Sequence, residues 1–239
     1  MPEEINRILT DAVSDYLFPP SKHGCENLRR EGIPEEKIFL VGDVMIDTLL
    51  KYKDKAATTP ILDELGLQKG NYALMTMHRP HNVDIKENLL KILRAIQEIQ
   101  SKISIVFPMH PRTRNRIEEF HFGGKLSEMK NLIIIEPVGY LCFFNLMLNA
   151  QFVLTDSGGM QQETTVLRIP CLTLRENTER PETIDEGTNT LVGNDTQRII
   201  EESFKILKGQ GKRGTYPKLW DGQASEKIIY CFADDEVFA

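Results

Sequence analysis

Residues 152–163 (FVLTDSGGMQQE) read as a strand that turns through Asp156, Ser157, Gly158 and Gly159 into a helix. Two successive glycines let a backbone turn tightly and approach a ligand closely. The first N–H groups of a helix have no intrahelical acceptor, and the helix dipole favours an anion beside them. With the Ser157 hydroxyl as a further donor, this corner suits a phosphate or diphosphate. Glu163 lies about one turn further on, where a carboxylate can accept bonds from ribose hydroxyls, as acidic residues do in dinucleotide folds. The competing reading is a plain strand-to-helix turn with Asp156 or Ser157 as the N-cap.

Four other segments carry groups able to act on a ligand. Residues 76–84 (TMHRPHNVD) follow a strand and place His78 and Arg79 where ligands bind to parallel sheets. Histidine exchanges protons near neutrality and arginine clamps anions with two donors. Both can equally be solvated loop residues; His81 and Asp84 are assigned to loop polarity and to a helix N-cap ahead of Lys86. Residues 107–112 (FPMHPR) put His110 on the same rim, with Arg112, Arg114 and Arg116 read as a solvated helix face. Residues 174–182 (LRENTERPE) are either a mixed-charge surface loop or a wall of a nucleotide site. In the second case Thr178, Glu179 and Arg180 fix a sugar or phosphate. Residues 138–147 (VGYLCFFNLM) hold Phe143 and Phe144 side by side, so that one ring faces a core and the other a rim. Glu3 and Glu4 read, from position alone, as acidic residues suited to a helix N-terminus.

These loops need a scaffold, and the chain supplies an alternating one. Compact apolar runs at 37–41, 72–77, 103–107, 132–135, 152–154 and 171–174 read as strands buried on both faces. Between them, Ile85–Gln100 carries Leu89, Leu90, Ile92, Leu93, Ile96 and Ile99 at helical steps, and Thr196–Lys208 carries Ile199, Ile200, Phe204 and Leu207. Residues 53–70 read as a lead-in, 209–222 as a Gly-bearing loop and 224–232 as a last helix. The rhythm predicts an α/β protein with a parallel sheet and right-handed crossovers. With 41% hydrophobic and 27% charged residues, the 239-residue chain has an ordinary globular composition. Its 29 Lys and Arg against 35 Asp and Glu leave a net charge of −6, which argues against a nucleic-acid partner. No apolar run approaches the length of a membrane span and no signal peptide is recognised. Cys25, Cys142, Cys171 and Cys231 form no C-x-x-C pair, which predicts reduced thiols, a cytoplasmic protein and no metal site.

Taken together and in order, PEEINR (2–7), GDVMID (42–47), T-HRP-N-D (76–84), P-HP (108–111), TDSGG-Q-E (155–163) and RENTERPE (175–182) resemble the non-hydrolysing UDP-N-acetylglucosamine 2-epimerase family. The resemblance runs from residue 2 to about residue 230. It implies the C-terminal half of a glycosyltransferase-B-type two-domain fold, a Rossmann-like parallel sheet with UDP-sugar in the cleft between domains. By this resemblance Ser157 and Gly158 bind the diphosphate and Gly159 completes the turn. Glu163 is the ribose acid, Phe143 lies beside the uracil, and Arg180 belongs to the substrate loop. His78 and Glu3 match catalytic positions. Arg79 and His110 match residues that bind a second, regulatory UDP-sugar in bacterial members. Gln162 stands where many relatives carry another glutamate.

The family reaction interconverts UDP-GlcNAc and UDP-ManNAc by eliminating UDP across C1–C2 and adding it back after protonation of the other face. Such a step needs an anion site for the leaving diphosphate and a water-poor cleft. The resemblance implies no cofactor, and a homodimer that makes cell-surface polysaccharide precursors. The family also carries a complete N-terminal domain with a Gly-Thr-Arg-Pro-Glu-type loop and two further catalytic acids, which are not found here. Residues 1–40 are therefore expected to be a remnant of that domain with its linker. Residues 41–239 are expected to form the UDP-binding domain, its last helix returning toward the N-terminal one. Weak UDP affinity with little epimerase activity is the expected behaviour. The alternatives are an inactive UDP-sugar-binding module and half of a hydrolysing epimerase or of a glycosyltransferase.

Overall fold

The computed structural model describes residues 2–233, the side chains of Pro2 and Glu3 excepted. In chain order the elements are α1 (Pro2–Val13), α2 (Lys22–Arg30), a 3-10 turn (Glu35–Lys37), α3 (Val44–Ala57), α4 (Ile61–Glu64), β1 (Tyr72–Thr76), α5 (Pro80–Val83), α6 (Lys86–Ile99), β2 (Ser104–Pro108), α7 (Pro111–Glu119), α8 (Gly123–Ser127), β3 (Leu132–Ile135), α9 (Tyr140–Leu148), β4 (Phe152–Thr155), α10 (Gly158–Leu167), β5 (Cys171–Thr173), α11 (Pro181–Asp185), β6 (Asn189–Leu191), α12 (Thr196–Leu207) and α13 (Ala224–Ala233). The chain divides into two compact units, one of residues 1–51 with 217–239 and one of residues 52–216. Among the described residues no helix is long and apolar enough to cross a membrane.

The larger unit is built on a six-stranded, wholly parallel sheet of order β3-β2-β1-β4-β5-β6. The chain steps outward from β1 to β3 on one side, then restarts at β4 and steps outward on the other. Neighbouring connections therefore diverge between β1 and β4, which opens a crevice at the carboxyl ends of these two strands. The register sets Thr76 beside Thr155, with their hydroxyl oxygens 2.7 Å apart. The apolar stripe of α6 (Leu89, Ile92, Leu93, Ile96 and Ile99) is buried against the sheet with Ile199 and Ile206 of α12. On α9, Phe144 is wholly buried while Phe143 is half-buried, as adjacent helical positions require.

The smaller unit is stitched by polar contacts around one tryptophan. Trp220 is buried and its indole N–H donates to the Pro20 carbonyl at 3.0 Å. The Asp47 carboxylate of α3 accepts from the N–H groups of Ala224 and Ser225 at 3.1 and 2.6 Å, and so caps α13. Gly42 has φ of +103° and passes so close to the Leu219 carbonyl that a Cβ would sit 2.1 Å from its oxygen; only glycine fits there.

Several expected elements differ. Residues 37–41 form no strand: the 3-10 turn runs into a single bridge between Ile38 and Leu17, because one β-branched run without a neighbouring strand finds no ladder. The division between the two compact units falls after Lys51, within α3, whose Ile46 and Leu49 are wholly buried. Residues 53–57 continue α3 instead of leading loosely into the sheet. The short β6 was not anticipated; its polar sequence, Asn-Thr-Leu, has no strand signature.

Truncating Phe144 to alanine empties a core position and is expected to cost about 3–5 kcal/mol. Phe143→Ala, at the rim, is expected to cost under about 1 kcal/mol. Urea unfolding of the two variants measures the difference.

Candidate functional site

The crevice is organised by a carboxylate at the end of β4. Asp156 is wholly buried. Its oxygens accept from the backbone N–H of His78 at 3.0 and 3.1 Å and from that of Arg79 at 2.8 Å. The Asn82 side-chain amide donates to the same group at 3.1 Å and to the Leu174 carbonyl at 2.8 Å. The His78 imidazole completes the set, its Nδ1 lying 3.0 Å from Asp156 Oδ1. Burial pushes this carboxyl up, but the His78 side chain and the two backbone donors outweigh it and hold the group below the ordinary carboxylate range. One buried anion thus clamps the loop after β1 to the turn after β4. It also selects the Nδ1–H form of His78, leaving Nε2 available to exchange a proton.

The turn that follows is an open helix N-terminus. Ser157 is the N-cap of α10, with extended backbone, yet its hydroxyl caps no helical N–H, and the first turn holds no acidic side chain. The Ser157 N–H itself is taken by the Thr155 hydroxyl at 3.0 Å. Gly158 and Gly159 begin the helix; a Cβ at Gly158 would meet only the Glu179 carboxylate, at 3.8 Å. A first turn whose N–H groups carry no side-chain cap bond can receive an oxyanion.

Beside this turn, a cavity of about 240 Å³ opens among His78, His110, Phe143, Ser157 and Met160. The rings of His78 and His110 lie 5.8 Å apart. His110 is the N-cap of α7, its Nδ1 accepting from the Arg112 N–H at 3.1 Å, so the outer Nε2 carries its proton. Further along α10, Glu163 is buried with one long hydrogen bond, from the Tyr140 hydroxyl at 3.5 Å. Burial pushes the Glu163 carboxyl up to about 7, only partly offset by that bond. Burial, then the nearby Glu163, pushes the Tyr140 phenol up to about 12. A buried acceptor this poorly paired suits a ligand hydroxyl.

The 175–182 loop packs beside the start of α10, through Thr178 on Gln161 and with the Glu179 carboxylate close to Gly158. Arg175 makes two bonds to Glu179, at 2.9 and 2.5 Å, and these hold the Glu179 carboxyl down at about 2. Arg180 N–H donates to Thr178 Oγ1 at 3.0 Å, and Thr178 in turn donates to Gln161 of α10 at 2.5 Å. The Nε groups of Arg79 and Arg180 are buried without an acceptor among the described residues. Buried donors without partners cost free energy that an incoming anion recovers.

The structure therefore gathers His78, His110, Phe143 and Ser157 around one cavity, with Gly158, Gly159 and Glu163 along the adjoining helix. Arg79 and Arg180 sit in the loops after β1 and β5. Glu3 lies on α1, and its side chain falls outside the described residues. Asp84 is not a helix N-cap: Ile85 takes that place, and Asp84 instead receives Arg112 and Arg116, the latter at 2.9 Å. These bonds, Arg112's foremost, hold its carboxyl at about 2. Arg114 pairs with Glu136, so the three arginines are paired rather than merely solvated. Asp156 as the organising anion and Asn82 as its bridge were both missed. Both stand in the stretches that carry the family resemblance, T-HRP-N-D and TDSGG-Q-E, but no local pattern pairs them.

The sequence pattern of the family described as UDP-N-acetylglucosamine 2-epimerase matches residues 1–233. The UDP-N-acetylglucosamine 2-epimerase of Methanocaldococcus jannaschii is 44% identical over 234 residues, covering 96% of this chain and 63% of that protein. A Pseudomonas aeruginosa protein named UDP-2,3-diacetamido-2,3-dideoxy-D-glucuronate 2-epimerase is 42% identical over 231 residues, covering 95% of this chain and 62% of that one. The crystal structure of the M. jannaschii epimerase in complex with UDP-GlcNAc and UDP superposes with a TM-score of 0.87 at 42% identity, over 98% of this chain and 65% of that one. The parallel sheet is that of these glycosyltransferase-B-type epimerase structures. The chain thus spans less than two thirds of the length of the relatives it matches, and over that span it belongs to the UDP-N-acetylglucosamine 2-epimerase family.

Proposed function

We propose that this chain holds the UDP moiety of a UDP-sugar, within a UDP-N-acetylglucosamine 2-epimerase reaction that interconverts UDP-GlcNAc and UDP-ManNAc. The observation that carries the reading is the uncapped first turn of α10 beside a cavity lined by His78 and Phe143. In this reading the diphosphate rests on Ser157, Gly158 and Gly159, with the unpaired Nε of Arg180 as a further donor. Glu163 accepts from the ribose hydroxyls and Phe143 lies against the uracil. The two relatives differ in the sugar they are named for and share UDP, the part that this site is built to hold.

The chemistry follows from what UDP must do. A base removes the C2 proton, its electron pair forms the C1–C2 double bond, and the C1–O bond breaks to release UDP. Re-addition reverses these steps after a proton arrives on the opposite face of C2. The leaving diphosphate gains charge as the C1–O bond breaks, so pre-oriented N–H donors that meet it there lower the barrier. His78, set by Asp156 and lining the same cavity as Ser157, is the proposed proton-exchanging group, and Glu3 is the proposed partner acid. Arg79 and His110 are proposed to contact a second, regulatory UDP-sugar. The same reading takes the protein to be a cytoplasmic homodimer.

Calorimetric titration with UDP tests the reading, and saturable binding is the expected result. No heat at millimolar UDP would overturn it. Ser157→Ala and Glu163→Ala are each expected to weaken UDP binding by about tenfold, the scale of one hydrogen bond to a charged or multiply bonded ligand. Incubation with UDP-GlcNAc in deuterium oxide reads the reaction: UDP-ManNAc labelled at C2 is the epimerase product, whereas free ManNAc with UDP marks hydrolysis.

Glu163 also predicts a pH dependence. Its carboxyl is raised from 4.5 to about 7 in the fold, so the neutral form is favoured by folding. That contribution is complete below pH 4.5 and is lost as pH rises through about 7. Glu163→Gln is expected to flatten the fall in thermal midpoint across this window, measured by calorimetric scans of both proteins.

A further inference from the structure

Beneath the glycine turn lies a closed polar network that the nucleotide reading does not use. Gln161 of α10 is wholly buried. Its Nε2 donates to the Ser157 carbonyl at 3.2 Å. Its Oε1 accepts from Thr178 Oγ1 at 2.5 Å and from Asn189 Nδ2 at 3.1 Å. The carbonyl partner fixes which end of the amide is nitrogen, so the pattern has one sense. Thr178 Oγ1, having donated, accepts from the Arg180 N–H at 3.0 Å. Asn189, also wholly buried, accepts from Thr173 Oγ1 at 2.6 Å and donates to Thr183 Oγ1 at 3.1 Å. Thr183 then donates to the Arg180 carbonyl at 2.7 Å.

Both backbone groups of Arg180 are thus held by threonine hydroxyls that lead back to Asn189, and the Thr178 branch reaches it through Gln161. Arg180 itself precedes α11 with φ of −129° and ψ of 65°, outside the helical basin, and no side-chain cap bond holds this N-cap. The same Gln161 side chain grips the Ser157 carbonyl. One buried amide therefore ties the Ser157 turn to the 175–180 loop, whose Arg175–Glu179 ion pair leaves the Glu179 carboxylate largely exposed. A satisfied buried network of this kind fixes geometry more sharply than exposed ion pairs do.

We propose that Gln161 is a positioning residue: through Thr178 it sets the 175–180 loop in register with the Ser157 turn, so that the Arg180 guanidinium meets the phosphates of bound UDP. This inference rests on the UDP reading above. Gln161 touches no ligand; it acts through Thr178 and Arg180. Its loss weakens the phosphate contact and leaves the uridine contact, made by Glu163 and Phe143, in place.

Titrations with UDP and with uridine, by calorimetry and ligand-observed NMR, test this on five variants. Gln161→Met keeps the buried volume without the amide, and Thr178→Val keeps the shape of threonine without the hydroxyl. Each is expected to weaken UDP binding about tenfold and leave uridine binding unchanged. Thr178→Ser, which restores the hydroxyl, is expected to bind UDP within about twofold of the parent. Adding Gln161→Met to Arg180→Ala is expected to weaken UDP binding no further, because both act on one contact. Parent-like UDP binding by Gln161→Met, an equal loss of UDP and uridine, or additive effects with Arg180→Ala would each overturn the inference while leaving the nucleotide site standing. If Gln161→Met does not fold, the Thr178→Val and Thr178→Ser pair decides alone. Absence of UDP binding by the parent chain would instead remove the nucleotide reading, and the inference with it.

Discussion

The Asp156 carboxylate is the interaction on which the crevice depends. It sits where the sheet changes direction, between β1 and β4, and it accepts backbone and side-chain donors from the loop on the far side. A buried anion without such donors would be costly. With them, it fixes the direction of the His78 ring, the entry of Arg79 and, through Asn82, the end of β5. Removing any one donor leaves charge uncompensated, so the three loops are energetically coupled rather than independently placed.

Two consequences follow from that fixed corner. The Asp156 carboxylate serves the β1 loop and Ser157 makes no cap bond, so α10 begins without a side-chain cap bond to its first N–H groups. The helix end is thus left without the side-chain acceptor that an N-cap ordinarily supplies. One turn further in, Glu163 is buried by α9 without a cation, which keeps it neutral in the free chain up to about pH 7. Both features cost stability, because each leaves a polar group without a full partner.

Much of this was legible in the residue order. The glycine turn, the apolar strand before it and the helical stripe of α6 announce themselves through patterns of two to four residues, and local physics enforces them. Asp84 and the arginines of α7 illustrate the opposite case. Their types suggested capping and solvation, but α5 and α7 come together in the fold and convert them into ion pairs. The strand expected at residues 37–41 failed for a related reason: β structure is a property of neighbours, and Ile38 has only Leu17 beside it. The polar β6 succeeded because β5 offers it a ladder.

The sequence by itself determined the α/β alternation, the position of the glycine turn and the set of motifs that carries the family resemblance, because each is written in short local patterns. Only the tertiary structure decided that Asp156 serves the β1 loop instead of its own helix, and that Gln161, Thr178 and Asn189 form one network beneath Arg180. Those partnerships join residues separated by two or more elements, such as Asp156 with His78 and Gln161 with Asn189. No local pattern encodes them; the parallel register that sets β1 beside β4 and β5 beside β6 does.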